Sequence, residues 1–259
     1  MIFSDDFNTA GSSATSAWYV RGENLRDENN VEGGNLLLAR KDGTQTIPKY
    51  SGVWKSFDTV SLNQGESLKL TIVFSGADVE AKAFGFFRIA FTDSQSQIDA
   101  NGGLLVEPHP RFFYALGLPT GTRGLVDPQF ESVAFFEGSS GQKANTDFNL
   151  APCLLGFMAA TPGKPIFPEG QKFLTPGEYG NKATLVWELR NDGGTIVSRG
   201  TWTDSDGVKT DMLEARAEAI LHFDFNKVGI GFAVWDADYW DGRHLAESVS
   251  IDSVKLEKF

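Results

Sequence analysis

The chain has 259 residues, and 23 basic against 34 acidic residues give it a formal charge of −11. No run of Lys or Arg is longer than two, and phosphate binding needs clustered cations, so nucleic acid is not an expected partner. An apolar fraction of 41% with 21 Phe provides for a large core, while no apolar window is long enough to span a bilayer, so membrane insertion is not expected either. A single domain over residues 1–259 is the default expectation.

Short segments rich in Val, Ile, Phe, Trp and Thr recur along the chain, separated by clusters of Gly, Asn, Asp and Pro, and this spacing predicts an all-β protein. The segment SLKLTIVFS shows the pattern well, because Leu68, Leu70, Ile72 and Phe74 alternate with Lys69 and other polar residues. Such alternation is typical of a strand with one buried face. The fold is therefore expected to be an antiparallel β-sandwich.

Two turns and one helix are predicted in the second half of the chain. Residues 191–194, Asn-Asp-Gly-Gly, supply the positive φ values that a tight hairpin needs, and TWTDSDGVKT indicates a second turn. Residues 211–221, DMLEARAEAIL, have Asp211 as a possible cap and apolar residues at a spacing of four, which predicts the one short helix.

The strand segments FSDDFN, GGNLLLA, FDTVSLNQGESLKLTIVFS, FGFFRIAFTDS, FNKVGIGFAVWD and VSIDSVKLE occur in this order over nearly the whole chain. This pattern resembles the secreted bacterial concanavalin A-like, laminin-G-like jelly-roll sandwiches. The resemblance implies two antiparallel sheets packed face to face, glycan recognition or processing on the concave face or the loops, and a secreted, periplasmic or cell-surface location. The opening MIFSDDFNTA lacks the features of an export signal, so we expect any such signal to lie outside this sequence.

Catalytic patterns of this fold are absent or incomplete. There is no E-x-D-x-x-E, which places the paired carboxylates of retaining glycosidases, and no Q-x-H of the kind found in alginate-lyase-like jelly rolls. The nearest analogue is EPHPRFFYALGL, in which His109, Arg111 and Tyr114 are weak catalytic candidates for proton transfer at a uronate. In an extended segment His109 and Arg111 share a face and Tyr114 points away from both.

The stretch WDADYWDGRH, residues 235–244, is the strongest binding candidate. Sugars stack their C–H faces on Trp and Tyr, and their hydroxyls need planar polar partners. Alternatively, its aromatic residues cover an open end of the sandwich and its aspartates hold a turn. Arg88, a charge within the apolar strand GFFRIAF, is expected either to pair with a carboxylate or to lie on the concave face, and Trp54 and Trp187 could line one sheet face. The predicted ligand-binding residues are Arg88, Trp235, Tyr239, Trp240 and Arg243.

A structural calcium ion is the most plausible cofactor. Asp5 and Asp6 begin the first strand and Asp252 lies in the last, so pairing of those strands would bring carboxylates together, where a hard cation would relieve their repulsion. The alternative is that these are exposed residues of an acidic protein. The only cysteine, Cys153, lies in an apolar segment typical of a buried thiol.

The sequence thus favours a non-catalytic carbohydrate-binding or adhesion-type module of an exported bacterial protein, whose partner is a glycan or polysaccharide. The alternative is a polysaccharide-degrading enzyme of the same fold, a lyase or glycoside hydrolase. The two differ in whether a catalytic set exists, and the residue patterns leave that open.

Overall fold

The structure, a computed structural model, describes residues 1–7, 19–21, 31–32, 34–39, 49–77, 85–92, 112–120, 134–137, 164–165, 182–204, 206–217, 222–234 and 248–259. Within these ranges the backbone forms sixteen strands and no helix. The strands are β1 (Phe3–Asp5), β2 (Tyr19–Arg21), β3 (Val31–Glu32), β4 (Asn35–Ala39), β5 (Lys49–Ser61), β6 (Ser67–Ala77), β7 (Gly85–Thr92), β8 (Phe112–Thr120), β9 (Ala134–Glu137), β10 (Lys164–Pro165), β11 (Ala183–Asp192), β12 (Thr195–Thr203), β13 (Lys209–Asp211), β14 (Ala215–Arg216), β15 (Asp224–Val234) and β16 (Ser248–Lys258).

The strands form two antiparallel sheets. The nine-stranded sheet has the order β13-β12-β11-β6-β16-β4-β3, with β1 paired to β16 and β14 paired to β12. The seven-stranded sheet has the order β10-β9-β8-β7-β15-β5-β2. About half of the neighbouring strands are distant in sequence, as when the last strand β16 lies between β6 and β4. The prediction of an all-β antiparallel sandwich is confirmed.

Alternation along the strands decides which face of each sheet is buried. Leu68, Leu70, Ile72 and Phe74 of β6 are all buried, as their spacing of two predicted. Strand β11 alternates buried and half-buried positions over its full length. Each sheet therefore turns one apolar face toward the other and leaves its second face outside.

Aromatic rings fill the space between the two sheets. The ring centroid of Trp187, on the nine-stranded sheet, lies 5.1 Å from that of Phe91 on the seven-stranded sheet. Phe91 in turn packs on Phe225, with centroids 5.8 Å apart. Trp187 is fully buried, and its indole N–H donates to Ser198 Oγ at 2.9 Å. Trp187 is thus a core residue. The expectation that Trp54 and Trp187 line one sheet face is wrong, because β5 and β11 belong to different sheets.

Both predicted turns are confirmed. The β11–β12 hairpin closes with Asp192 opposite Thr195, and Gly193 and Gly194 take φ values of 65° and 86°. The β12–β13 turn is held by the carboxylate of Asp204, which accepts hydrogen bonds from the backbone N–H groups of Asp206 and Val208. Side-chain acceptance of this kind is the reason aspartate is favoured in turns.

The helix predicted over residues 211–221 is wrong for residues 211–217, the part that the structure describes. This segment instead adds β13 and β14 to the edge strand β12. Met212, Ala215 and Ala217 are buried, whereas Leu213, which the helical spacing placed on the apolar face, is 49% exposed. The backbone N–H groups of Met212 and Ala217 donate to carbonyls of β12, both at 2.8 Å. Pairing with an open sheet edge has overridden a weak local helical preference.

We predict that Gly200→Ala destabilises the protein, because this edge packs closely on Gly200. A Cβ atom at Gly200 would lie 2.3 Å from the backbone carbonyl oxygen of Val186 and 2.7 Å from the sulfur of Met212. The carbonyl belongs to a paired strand and cannot move freely, so we expect a loss of about 1–3 kcal/mol in the free energy of unfolding. Urea unfolding measures it as a lower midpoint with an unchanged m-value.

Thr203→Ala is the matched control on the same strand, at a half-buried position, and should change the midpoint little. Equal midpoints for Gly200→Ala and the unmodified protein would contradict the described packing of Met212 on β12.

Candidate functional site

The face of the seven-stranded sheet that points away from the core is called the outer face here. Ile89 and Phe91 of β7 and Val228 and Ile230 of β15 are buried between the sheets. Because successive strand residues point to opposite sides, the residues between them lie on the outer face. By backbone register, its positions on the central strands are Tyr50, Gly52, Trp54 and Ser56 on β5, Lys227, Gly229, Gly231 and Ala233 on β15, and Phe86, Arg88, Ala90 and Thr92 on β7.

One register row of the outer face joins two arginines through glycines. Arg88 is opposite Gly231 on one side and Gly117 on the other. Gly231 is opposite Gly52, and Gly52 is opposite Arg21 of β2. We call these five residues the arginine row. Since adjacent strands lie about 4.8 Å apart, the Cα atoms of Arg21 and Arg88 are separated by roughly 14 Å.

The surroundings of Arg88 on its own sheet contain no acidic residue. The eight outer-face positions next to it in register are all described, and each holds an apolar residue or glycine. These positions are Phe86, Ala90, Ala115, Gly117, Pro119, Gly229, Gly231 and Ala233. Cross-strand neighbours are the usual partners of a charged residue in a sheet. The sheet therefore supplies no carboxylate at the positions from which one would normally reach Arg88.

Aromatic positions border the glycines of the arginine row. Tyr50 and Trp54 lie two residues to either side of Gly52 on β5, and Tyr19 is opposite Trp54 on β2. Trp54 is also opposite Gly229. Because glycine has no side chain, we expect the surface at these glycines to be lower than at the aromatic positions around them. Two residues proposed from the sequence, Arg88 and Trp54, thus share one face, whereas Trp187 does not.

Lys227 adds a third cation to the outer face. It lies opposite Ser56 and Thr92, and it is only 7% exposed. Lys227 is therefore a buried residue, and it takes part in an interaction with other residues. From Lys227 to Val234, where β15 pairs regularly with both neighbours, the described outer-face positions of β5, β7 and β15 include no carboxylate.

The outer face of the nine-stranded sheet has the opposite character. One register row across it reads Glu257, Lys69, Glu188 and Arg199, so that each charge is next to an opposite charge. The guanidinium of Arg199 also forms an ion pair with Glu214. Complementary neighbours of this kind are expected on a solvated sheet face. The unbalanced face is thus the one that carries the arginine row.

The proposed catalytic candidates are not brought together in the described residues. Tyr114 is fully buried in the core, with its ring centroid 6.1 Å from that of Phe225. Its hydroxyl oxygen accepts a hydrogen bond from the backbone N–H of His222 at 3.2 Å. A side chain placed in this way does not face a polysaccharide. The other two candidates, His109 and Arg111, lie outside the described residues and stay predictions.

The calcium prediction was based on pairing of the first and last strands, and these strands do pair, with Asp5 opposite Val254. Asp5 and Asp252, however, each lie beside a lysine. Asp5 Oδ2 is 3.9 Å from Lys55 Nζ, and Asp252 Oδ2 is 2.5 Å from Lys182 Nζ. Among the described residues, no group of three or more His, Cys, Asp or Glu side chains is arranged to hold a metal ion.

Calcium takes six to eight oxygen ligands, so the described donors near Asp5 and Asp252 suit an ammonium group better than this ion. Asp6 is exposed. The calcium site at Asp5, Asp6 and Asp252 stays a prediction. Trp235, Tyr239, Trp240, Arg243 and Cys153 lie outside the described residues, and their predicted roles stay predictions as well.

No family model matches the sequence, and no curated protein matches it. Solved structures do match. The carbohydrate recognition domain of Emp47p superposes with a TM-score of 0.55 at 9% identity, over 98% of this chain and 94% of that one. A seed lectin from Lotus tetragonolobus gives 0.55 at 11% identity, over 99% and 97%. The exoplasmic/lumenal domain of VIP36, in a form with Ca2+ and Man3GlcNAc bound, gives 0.53 at 11%, over 98% and 87%.

The fold is legume-lectin-like. At such low identity the likeness concerns the fold, and it confirms the concanavalin A-like sandwich that the strand pattern indicated. The likeness extends over nearly the whole length of these lectin structures, including both sheets. Within the described ranges, no helical segment has the length and apolar character that crossing a membrane requires.

The Asp5–Lys55 pair links the two sheets of this lectin-like sandwich. Lys55 belongs to β5 of the seven-stranded sheet, and its ammonium lies 5.0 Å from the ring centroid of Phe3 on β1. Burial lowers the pKa of Lys55, and the nearby charge of Asp5 raises it by less. The carboxylate of Asp5 also accepts a hydrogen bond from the backbone N–H of Phe7 at 3.1 Å. The pair thus anchors the N-terminal strand.

We predict that Asp5→Asn destabilises the protein by about 1–2 kcal/mol, because it leaves a mostly buried ammonium without its carboxylate. Asparagine retains an acceptor for the Phe7 N–H, so the lost stability measures the contribution of the negative charge of Asp5. Lys55→Met in the Asp5→Asn background should restore much of the loss, because no lone charge then remains. Ser4→Ala, an exposed change on the same strand, is the control in urea unfolding.

The pH dependence has a definite sign. Because the pKa of Lys55 in the folded protein is below its usual value of 10.5, the unfolded chain binds more protons here between the two pKa values. Stability relative to Lys55→Met should therefore rise as pH increases through that window toward about 10.5. A difference that falls over the same window would contradict the assigned burial of Lys55.

Calcium can be tested with the same variants. If the lysines supply the positive charge, excess calcium or a chelator should leave the melting temperature unchanged. A calcium-dependent rise that Asp5→Asn or Asp252→Asn abolishes would instead establish the predicted ion site, because selective binding to the folded state raises stability.

Proposed function

We propose that this chain is a non-catalytic carbohydrate-binding or adhesion-type module of an exported bacterial protein, formed by one domain over residues 1–259. Its binding surface is the outer face of the seven-stranded sheet, centred on the glycines between Arg21 and Arg88. The observation that carries the proposal is the placement of aromatic positions around a row of glycines on the outer face of this sheet.

The chemistry of that face suits a sugar. Trp and Tyr offer flat apolar surfaces to the C–H faces of pyranose rings at a low cost in conformational entropy. Glycines at Gly52, Gly229 and Gly231 leave room for a ring to approach the sheet backbone. Arginine donates several hydrogen bonds in a fixed plane and can bind hydroxyl or carboxylate oxygens.

The structural comparisons support the same class of function. Among the similar structures are a lectin, UEA-II, complexed with galactose and a VIP36 domain with Ca2+ and mannose bound. The VIP36 structure is of an exoplasmic/lumenal domain, in line with an exported location for this chain. A shared fold alone does not carry a shared ligand, so the proposal depends on the residues of the outer face.

The segment 235–244, which the sequence singles out for binding, directly follows a strand of the outer face. Strand β15 forms part of the outer face and ends at Val234, opposite Lys49 and Gly85. Trp235 is the next residue in the chain. We therefore propose that Trp235, Tyr239, Trp240 and Arg243 form a rim at this end of the binding face.

The enzyme alternative has less support. Its proton-transfer set included Tyr114, which is in the core with its hydroxyl occupied by the His222 N–H. It would therefore need another residue in that role. Release of unsaturated uronate from acidic polysaccharides, followed by absorbance and abolished by His109→Ala, would establish a lyase in place of a binding module.

We predict that Trp54→Ala weakens glycan binding about five- to tenfold, the effect expected from losing one stacking surface. The measurement is a glycan array with the purified chain, followed by titration of the strongest ligand against each variant. Trp240→Ala tests the rim in the same way. Phe259→Ala, which removes an aromatic residue that is 63% exposed at the C-terminal end, is the control.

Unchanged affinity in Trp54→Ala would remove the outer face as the binding surface. A loss in Trp240→Ala alone would place binding in the loop and away from the sheet.

A further inference from the structure

We propose that the arginine row makes this face selective for acidic polysaccharides, with Arg88 and Arg21 each binding a carboxylate or sulfate of one extended chain. The inference rests on the proposed function and specifies its ligand class. It depends on the register of β2, β5, β15, β7 and β8 and on which residues that register places together.

The first argument is that no acidic residue occupies the strand positions next to Arg88. Arg88 has glycine as its cross-strand neighbour on both sides, Gly231 and Gly117, and none of the eight positions around it is acidic. A guanidinium stays charged at any pH that a folded protein experiences, and an oxyanion is its strongest hydrogen-bonding partner. An oxyanion on a ligand would supply the partner that the neighbouring strand positions do not.

The second argument is the contrast with the rest of the protein. The chain carries a net charge of −11, so cations on its surface are outnumbered by potential acidic partners. On the nine-stranded sheet, Lys69 has Glu188 and Glu257 as its two cross-strand neighbours. The arginine row on the seven-stranded sheet instead holds Arg21 and Arg88, and its other three positions are glycines. This difference between the two faces marks the site as one that receives negative charge.

The third argument is spacing. Arg21 and Arg88 are three strands apart, about 14 Å between Cα atoms, and Gly52 and Gly231 lie between them. A polymer crossing the strands over these glycines would pass an arginine position at each side. Two acidic groups on different sugar residues fit this arrangement better than a single acidic monosaccharide. Planar guanidinium groups bind carboxylate and sulfate oxygens through paired hydrogen bonds.

The test compares acidic and neutral forms of the same polymers. The probes are polygalacturonate against its methyl-esterified form, and dextran sulfate against dextran, each titrated with the full chain. We expect tighter binding of the acidic member of at least one pair. Arg88→Gln should weaken that binding about tenfold or more, as expected for a lost charge-assisted hydrogen-bonded pair, and should leave neutral glycans unaffected.

The control is Lys69→Gln, which changes the net charge by the same amount on the opposite sheet. Arg21→Gln, on the edge strand β2, is a second variant that disturbs the sheet centre less than one on β7. Arg88→Lys should retain part of the affinity because it keeps the charge but loses the planar pair of donors. Urea midpoints confirm that each variant is folded.

The outcomes separate the two proposals. Equal losses in Lys69→Gln and Arg88→Gln would show a general charge effect and overturn the inference. Binding of neutral glycans that depends on Trp54 but not on Arg88 or Arg21 would overturn the inference and leave the proposed function standing. Failure to bind any of these polymers or any arrayed glycan would overturn both. A preference for dextran sulfate over polygalacturonate, or the reverse, identifies which oxyanion the arginines accept.

Discussion

The packing of Phe91 against Trp187 between the two sheets determines which residues of β7 face the core and which lie on the outer face. Strand residues alternate strictly between two faces, so burial of Ile89 and Phe91 forces Arg88 to the other side of β7. A slip of one residue in register would bring the arginine into the core and expose the phenylalanine. The apolar core and the charged outer face are therefore two results of a single constraint.

Residues alternate between two faces in both sheets, but the two outer faces differ in how their charges are balanced. On the nine-stranded sheet, Glu257, Lys69, Glu188 and Arg199 follow one another in a register row, and their charges compensate across the strands. Such pairs contribute little to stability individually, but they leave no unbalanced charge for a ligand. On the seven-stranded sheet, glycines occupy the cross-strand positions next to Arg88. Glycine in a strand interior weakens the strand, and its repeated use here is better explained by a surface that must be approached closely.

The sequence predicted those features that depend on neighbours along the chain. Leu68 to Phe74 alternate within one strand, and Asn191 to Gly194 form a local turn, so short-range physics was sufficient for both. The helix predicted from residue 211 was wrong because the backbone N–H groups of Met212 and Ala217 donate hydrogen bonds to β12. No pattern within this segment shows that it lies next to that strand. Trp54 and Trp187 were expected to share a sheet face for a similar reason, since alternation defines the two faces of a strand without showing which strands belong to the same sheet. The arginine row joins residues 21, 52, 88, 117 and 231, and only the pairing of distant strands brings them together.

The net charge of −11 bears on how an acidic polymer would be recognised. Within a few Debye lengths, each about 8 Å at physiological ionic strength, the protein as a whole repels a polyanion, and salt weakens that repulsion. Near Arg21 and Arg88 the interaction is attractive, and salt weakens it as well. The two effects oppose each other, so a shallow salt dependence of affinity would not argue against ion pairing at this face. Substituting Arg88 and Lys69 in parallel separates the effects, because both variants shift the net charge equally and only one removes a cation from the arginine row.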